Sequence, residues 1–323
     1  MKYSNSVLEL IGNTPLIRLN KVADPNGAIV LGKAEFMNPG SSIKDRIGIK
    51  MIEAAEKDGT LKSGGTIVEA TSGNTGVGLA LAASIKNYKM IIVIPDKMSK
   101  EKISLLKAFG AEVIVVSAKH SHDHPDYYVN FARRLAKETP NSLFANQFYN
   151  QNNPLTHYQT TGPEIWEQTE GKISAFVAGM GTGGTISGVG KFLKEKNPNV
   201  KIIGADPIGS VIKSYKENIT NFEGQPYLVE GIGGDTVHGT LHAEFIDEVI
   251  NVSDKDSFAM SRRLAREEGI FVGGSTGTIV HIATQIASNM TPSEVVVCIL
   301  CDTGERYLSK NHSEEWMQEN NFL

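Results

Sequence analysis

The chain is poor in cysteine, in long apolar runs and in clustered positive charge, and each shortage closes off a class of function. Only two cysteines occur among 323 residues, so no disulfide framework holds the fold, and a reducing cytoplasm is the expected setting. No apolar run approaches the length needed to cross a bilayer, and the opening MKYSNSVLEL is too polar for a secretory leader. The formal net charge is -4 with no long basic run, which argues against nucleic acid and anionic membranes as partners. What is present is an ordinary globular mixture, 40% hydrophobic and 21% charged, long enough for two packed domains.

Short β-branched runs alternate with amphipathic helical patterns. IVLGKAEF precedes a helix expected over 44–58, TIVEAT one over 75–87, MIIVIP one over 99–109, and EVIVVS one over 127–138. The alternation resumes with AFVAGM before a helix over 185–196, then KIIGAD and VVVCIL. Strands bounded by helices predict an α/β protein: two three-layer domains with largely parallel sheets, both faces covered. The expected boundaries are 41–145 for a smaller, mobile N-terminal domain and 1–40 plus 146–323 for a C-terminal domain, with the active site in the cleft between them. The helix over 99–109 shows the local logic. Ser99 offers an N-cap, Ile103, Leu106 and Phe109 form one apolar stripe, and Gly110 ends it.

Three glycine–hydroxyl turns stand before helices. GMGTGGTISG (179–188) follows an apolar strand, and its glycines let the backbone approach a ligand. Free N–H groups at the helix start, with the Thr182 and Thr185 hydroxyls, suit a phosphate. The same run fits G-x-G-x-x-G at Gly179, Gly181 and Gly184, and Asp206 ends the next strand where a ribose-binding acid belongs, so a nicotinamide dehydrogenase competes with it. A tight structural turn is the third reading. EATSGNTGVGLA (69–80) carries Thr71, Ser72, Asn74 and Thr75, short donors that suit a carboxylate or a simple capping turn. EEGIFVGGSTGTIV (267–280) gives the third turn, around Ser275, which alone reads as an ordinary strand-to-helix connection.

Two further patterns are read as structural. Cys298-Ile-Leu-Cys301 has redox spacing but lies in a strand pattern, where positions three apart face opposite ways, so core packing is expected. His120, His122 and His124 would share one side of an extended segment, which permits a metal site. The run follows a strand and ends at Pro125, so a surface loop is expected and no metal is assigned.

PGSSIKDR (39–46) places Lys44 at the mouth of a helix, where the dipole is positive and a cation is least welcome. An amine there, with three anion-suited turns, points to a phosphorylated aldehyde cofactor, and pyridoxal phosphate answers that description. PGSSIKDR, TSGNTG, GTGGT and GGSTG, with the opening IGNTPLIRL, resemble the fold-type-II pyridoxal phosphate enzymes of the cysteine synthase and cystathionine β-synthase group, across essentially the whole chain. The resemblance implies a tryptophan-synthase-β-like fold and a homodimer. It implies that Lys44 forms the internal aldimine and that Asn74 bonds the pyridine 3-oxygen. Gly181, Thr182, Gly183, Gly184 and Thr185 would hold the phosphate, and Ser275 would meet the pyridine nitrogen. Thr71, Ser72, Thr75 and Gln147 of ANQF would bind the amino-acid carboxylate. The implied reaction is β-replacement through an aminoacrylate. Lys44 would remove the Cα proton, a thiol or sulfide would add at Cβ, and the smaller domain would close over the bound substrate.

GADPIGS (204–210), EGIGGD (230–235) and GGSTG (273–277) resemble the cystathionine β-synthase branch, whereas GERYLS (304–309) resembles the cysteine synthase tail. The expected reaction therefore joins serine, or an activated serine, to homocysteine. The alternative joins O-acetylserine to sulfide, and release of hydrogen sulfide from cysteine is a plausible side activity. Gly234 stands where the animal enzymes carry tyrosine. KEKNPNVKIIG lacks their Cys-x-x-Cys, so no redox switch is expected there. Neither a haem-binding extension nor a C-terminal regulatory module is expected to act on this chain.

Overall fold

Buried β-branched runs build two sheets, each sandwiched by helices, so the fold is α/β with largely parallel strands. The structure is a computed structural model that describes every residue except 2, 72, 97–99 and 122. Its strands are β1 (Leu16–Arg18), β2 (Ile29–Ala34), β3 (Thr66–Ala70), β4 (Lys89–Pro95), β5 (Glu112–Val116), β6 (Ser142–Phe144), β7 (Ala175–Gly179), β8 (Lys201–Pro207), β9 (Glu248–Val252) and β10 (Val295–Leu300).

The chain divides into two units, Met1–Ile11 with Asn38–Asn153, and Gly12–Met37 with Pro154–Leu323. The sequence reading keeps residues 1–40 together with the C-terminal domain. In the structure residues 1–11 go with the first unit, because Leu8 packs against that unit's core.

In the first unit the order is β5-β4-β3-β6, all parallel. Successive residues of β3 face opposite ways. Ile67 joins Ile92, Ile94 and Leu143 in the cluster built with the helices Lys44–Lys57 and Asn74–Lys86. Val68 and Ala70 join Val93 in a second cluster under the helix Tyr128–Glu138, packed on Ala132 and Ala136. Truncating a fully buried isoleucine such as Ile92 to alanine would cost about 2–5 kcal/mol. The helix expected over 99–109 runs Lys100–Ala108, with Leu106 buried and Ile103 and Phe109 against the same core. Its expected cap, Ser99, lies outside the described residues.

The two helices on the first face touch backbone to backbone. A Cβ on Gly48 would fall 2.5 Å from the Gly78 carbonyl carbon, and one on Gly78 would fall 2.7 Å from the Lys44 carbonyl oxygen. No larger residue fits at that crossing without separating the helices.

In the second unit the order is β1-β2-β10-β7-β8-β9, with β1 antiparallel to β2 and the others parallel. Phe176, Val177, Ile202, Val297 and Leu300 are sealed within it. A charge is sealed there as well. Lys33 on β2 is fully buried, and its ammonium donates to Glu164 at 2.7 Å, to Gln168 at 3.0 Å and to the Thr14 carbonyl at 2.6 Å. Among the described residues no helix is long and apolar enough to cross a membrane.

Candidate active site

Lys44 is the first residue of the helix Lys44–Lys57, part-buried, with its backbone N–H on the Ser42 hydroxyl at 3.2 Å. It stands one turn before Gly48, and Asn74 stands one turn before Gly78. The glycine crossing therefore sets the start of the lysine helix against the helix Asn74–Lys86 that the Thr71–Thr75 turn opens. Two helix starts, each the positive end of a helix dipole, so lie on one face of the first sheet.

Hydrogen-bond arithmetic says what this turn offers. The Thr71 hydroxyl oxygen accepts from the Gly73 N–H at 3.2 Å, so its own O–H remains to donate. The Thr75 hydroxyl donates to Gln147 Oε1 at 2.6 Å, and both residues are buried. With its oxygen engaged, the Gln147 amide presents N–H groups. The helix behind has Gly73 as N-cap with no side-chain cap, and its dipole is positive at this end. The turn is therefore a set of donors that suits an anion. The structure joins Thr71, Asn74, Thr75 and Gln147 in this unit, while Ser72 lies outside the described residues.

The second unit holds the phosphate candidate. β7 leads into Gly181–Thr185, and the helix Gly184–Lys196 begins with Gly183 as N-cap and no side-chain cap. Gly183 has φ +86, and a Cβ there would meet the Leu241 side chain at 2.6 Å; one on Gly181 would meet the Gly231 carbonyl oxygen at 2.6 Å. Only glycine lets the loop lie this close to its wall. The wall is EGIGGD: Gly233 donates to the Met180 carbonyl at 2.7 Å, and Gly234 donates to Ser210 of GADPIGS at 3.1 Å. The Thr182 hydroxyl accepts from the Gly184 N–H at 3.3 Å, and its carbonyl accepts from Thr240 at 2.6 Å. A cradle of backbone donors at a helix start fits a phosphate monoester.

Ser275 is buried near the start of the helix Gly274–Ala287, whose N-cap Gly273 supplies no side chain. A Cβ on Gly273 would fall 2.5 Å from the Tyr307 ring and 2.6 Å from Asp302 Oδ1. Tyr307 in turn donates to Asp302 Oδ2 at 2.8 Å, and Thr276 accepts from the Cys301 N–H at 2.9 Å. CDTGERY is thus the frame of the GGSTG turn. Burial and the neighbouring Asp302 push the Tyr307 phenol well above its usual range, so it stays a donor.

The remaining sequence candidates sort by surroundings. Asp206 is sealed at the end of β8, its Oδ2 accepting from the Lys213 N–H at 3.2 Å, and burial raises its carboxyl to about 6. A sealed carboxyl is not placed to hold a ribose. Cys298 is fully buried on β10 and burial raises its thiol to about 12, whereas Cys301 lies beyond the strand end, so the pair is packing rather than redox chemistry. His120, His124 and Asp126 do gather with ligand atoms within 4.8 Å of one another. Asp126 is already paired with Arg134 at 2.8 Å, and its N–H occupies His124 Nδ1 at 3.0 Å, while the His120 and His124 rings stack at 4.1 Å. His122 lies outside the described residues.

Two residues escaped the sequence reading. Glu69, on β3 and 1% exposed, accepts from the Asn146 N–H at 2.6 Å and from the Gln147 N–H. His157, also buried, stands behind the phosphate loop with Nε2 3.2 Å from the Thr185 hydroxyl and Nδ1 2.9 Å from that of Thr161. The signal for Glu69 is a carboxylate inside the fully buried run TIVEA. His157 gives none, since a histidine in a short helix resembles any other.

Comparison with known proteins finds relatives along nearly the whole chain. The family of pyridoxal-phosphate dependent enzymes matches residues 7–302. The cystathionine beta-synthase of Apis mellifera is 47% identical over 100% of this chain, which spans 64% of that relative's length. The cysteine synthase of Staphylococcus aureus is 43% identical over 94% of this chain and 96% of its own. A solved structure, a hydrogen sulfide-producing enzyme from Fusobacterium nucleatum, matches with a TM-score of 0.87 at 38% identity, covering 95% of this chain and 98% of that one.

Proposed function

The chain belongs to the pyridoxal-phosphate dependent enzyme family, and from that premise we propose that it catalyses β-replacement, joining L-serine or an activated serine to L-homocysteine to give L-cystathionine. The observation that carries this reading is the turn whose donors are the Thr71 O–H and the Gln147 amide, the latter oriented by the Thr75 hydroxyl, set beside the lysine-headed helix by the Gly48–Gly78 contact. An amino-acid carboxylate is the ligand such a turn selects, and an amine on the adjoining helix is the group that works on its Cα.

In this reading Thr71, Ser72, Thr75 and Gln147 take the substrate carboxylate. Gly181, Thr182, Gly183, Gly184 and Thr185 hold the cofactor phosphate, Asn74 donates to the pyridine 3-oxygen, and Ser275 meets the pyridine nitrogen. Bound pyridoxal phosphate supplies the sink for electrons left when the Cα–H bond breaks. Lys44 carries the cofactor between turnovers and, once displaced by substrate, takes the Cα proton at Nζ. A serine hydroxyl, rather than a carboxylate, at the ring nitrogen leaves the ring less electron-withdrawing. Such a ring would suit chemistry in which the β-substituent leaves.

Cystathionine formation is favoured over cysteine formation by EGIGGD and GADPIGS, and the Apis mellifera relative bears that name. The competing reading, O-acetylserine with sulfide, draws on the Staphylococcus aureus relative, which this chain matches along nearly its whole length. One pair of assays separates them: serine with homocysteine against O-acetylserine with sulfide. Turnover of the second pair alone would replace the first reading with the second. A colourless protein that binds no pyridoxal phosphate would remove both. The assembly proposed is a cytoplasmic homodimer, which light scattering tests directly.

A further inference from the structure

We infer that Glu69 is a positioning residue for substrate specificity, a buried carboxyl that fixes the Asn146–Gln147 turn and thereby aims the Gln147 amide. The inference rests on the reading that Gln147 meets the substrate carboxylate.

β3 and β6 pair in parallel up to Val68 and Phe144, and the Ala145 N–H continues the ladder onto the Val68 carbonyl at 3.0 Å. The chain then turns out of the sheet through Asn146, in the left-handed region at φ 51. A turn leaving a sheet edge strands its next N–H groups, and stranding them in a buried place is costly. Glu69 meets that need: both the Asn146 and the Gln147 N–H donate to it. The far side of the turn is pinned as well, because Asn153 Nδ2 donates to the Gln147 carbonyl at 2.9 Å. With its backbone held at both ends, the Gln147 side chain has one direction left. Thr75 occupies its oxygen, and the amide N–H groups point away from that bond.

Nothing else in this unit explains an acidic residue in that place. Its strand is buried at every position, and Glu69 shares a face with Ile67, which lies in the apolar cluster. Among the described residues no cation pairs with it. Burial alone raises its carboxyl to about 8, against the lowering effect of its two N–H partners. A leucine would suit the cluster better and would leave the turn without its acceptors. The carboxyl is retained at a cost to stability, and what it secures is the orientation of Gln147.

The test is a double-mutant cycle on the cofactor-loaded full chain, with L-serine and O-acetylserine as probes. Glu69→Leu should raise the KM for the amino-acid substrate at least tenfold, with kcat within threefold of the parent and cofactor stoichiometry intact. Glu69→Gln keeps a carbonyl acceptor and should restore KM to within threefold. Gln147→Ala should raise KM by itself, and adding Glu69→Leu to it should change little more, since both act through one amide. Amide exchange at 145–148 should quicken in Glu69→Leu and not in Glu69→Gln, a readout that needs no catalysis and survives a weakened fold. Additive effects of Glu69→Leu and Gln147→Ala, or exchange that is the same in all variants, would overturn the inference. If Gln147→Ala leaves KM unchanged, the substrate-site reading itself fails, and the two failures are told apart.

Discussion

The two anion-suited turns solve one problem with different materials. The turn at 179–185 uses backbone: Gly183 at φ +86, Gly181 against a carbonyl wall, and a helix start with no capping side chain. The turn at 71–75 uses side chains: the Thr71 O–H and the Gln147 amide are the donors, and Thr75 spends its own O–H on holding the Gln147 oxygen. Backbone donors are fixed as soon as the fold forms, and they cannot be altered by substitution without altering the chain path. Side-chain donors are adjustable, and their aim depends on neighbours such as Glu69. A resident cofactor calls for the first kind of site, and a substrate that comes and goes calls for the second.

Substitutions should split along that line. The largest effect is expected at the amine rather than at either turn. Lys44→Ala should lower kcat by about 10³-fold or more, as removal of a general base does, and borohydride should fix no cofactor to the protein. Retained borohydride-fixed cofactor would place the linkage elsewhere. Next comes the backbone turn. Gly183→Val forces a branched residue into the left-handed region and into Leu241. Pyridoxal phosphate affinity should fall about 100-fold, the scale of a strained backbone of 1–3 kcal/mol, read by absorbance titration of the apoprotein. The side-chain turn should behave differently. Thr75→Val removes the hydroxyl that holds the Gln147 oxygen, without changing shape, and should raise the amino-acid KM about tenfold with the cofactor still bound. Were both variants to lose cofactor equally, the division of labour would be wrong.

The last effect is on stability rather than on binding or turnover, and it is a pH dependence. The Glu69 carboxyl is raised from 4.5 to about 8 in the fold, so the folded state holds a proton that the unfolded chain releases. Stability should therefore fall as pH rises from about 4.5 to about 8 and level off above. Glu69→Gln has no such proton, and its urea midpoint should match the parent near pH 4.5 and exceed it increasingly toward pH 8. A constant difference across that range would mean that Glu69 does not titrate as its burial implies.

Much of this was legible from the residues in order. Alternating β-branched runs and amphipathic helices announce the sheets, and the expected helices begin and end within one residue of those observed. The loop around Gly183 could be read because glycine at a strand end has few other reasons to be there. What could not be read depends on contacts distant in sequence. Gly48 and Gly78 look like ordinary helix-weakening residues until their helices are seen to touch. Glu69 looks misplaced until Asn146 and Gln147 arrive beside it from another strand. The grouping of residues 1–11 turns on one packing residue, Leu8, in a polar segment with no pattern of its own.

Lys33 has a practical consequence. Its ammonium is sealed from solvent and held by Glu164, Gln168 and the Thr14 carbonyl. Acylating reagents that mark surface lysines will pass it by in every intact molecule. A mark on Lys33 therefore reports opened chains. In a labelling experiment directed at Lys44 it is the built-in gauge that separates protection by a bound aldehyde from protection by the fold.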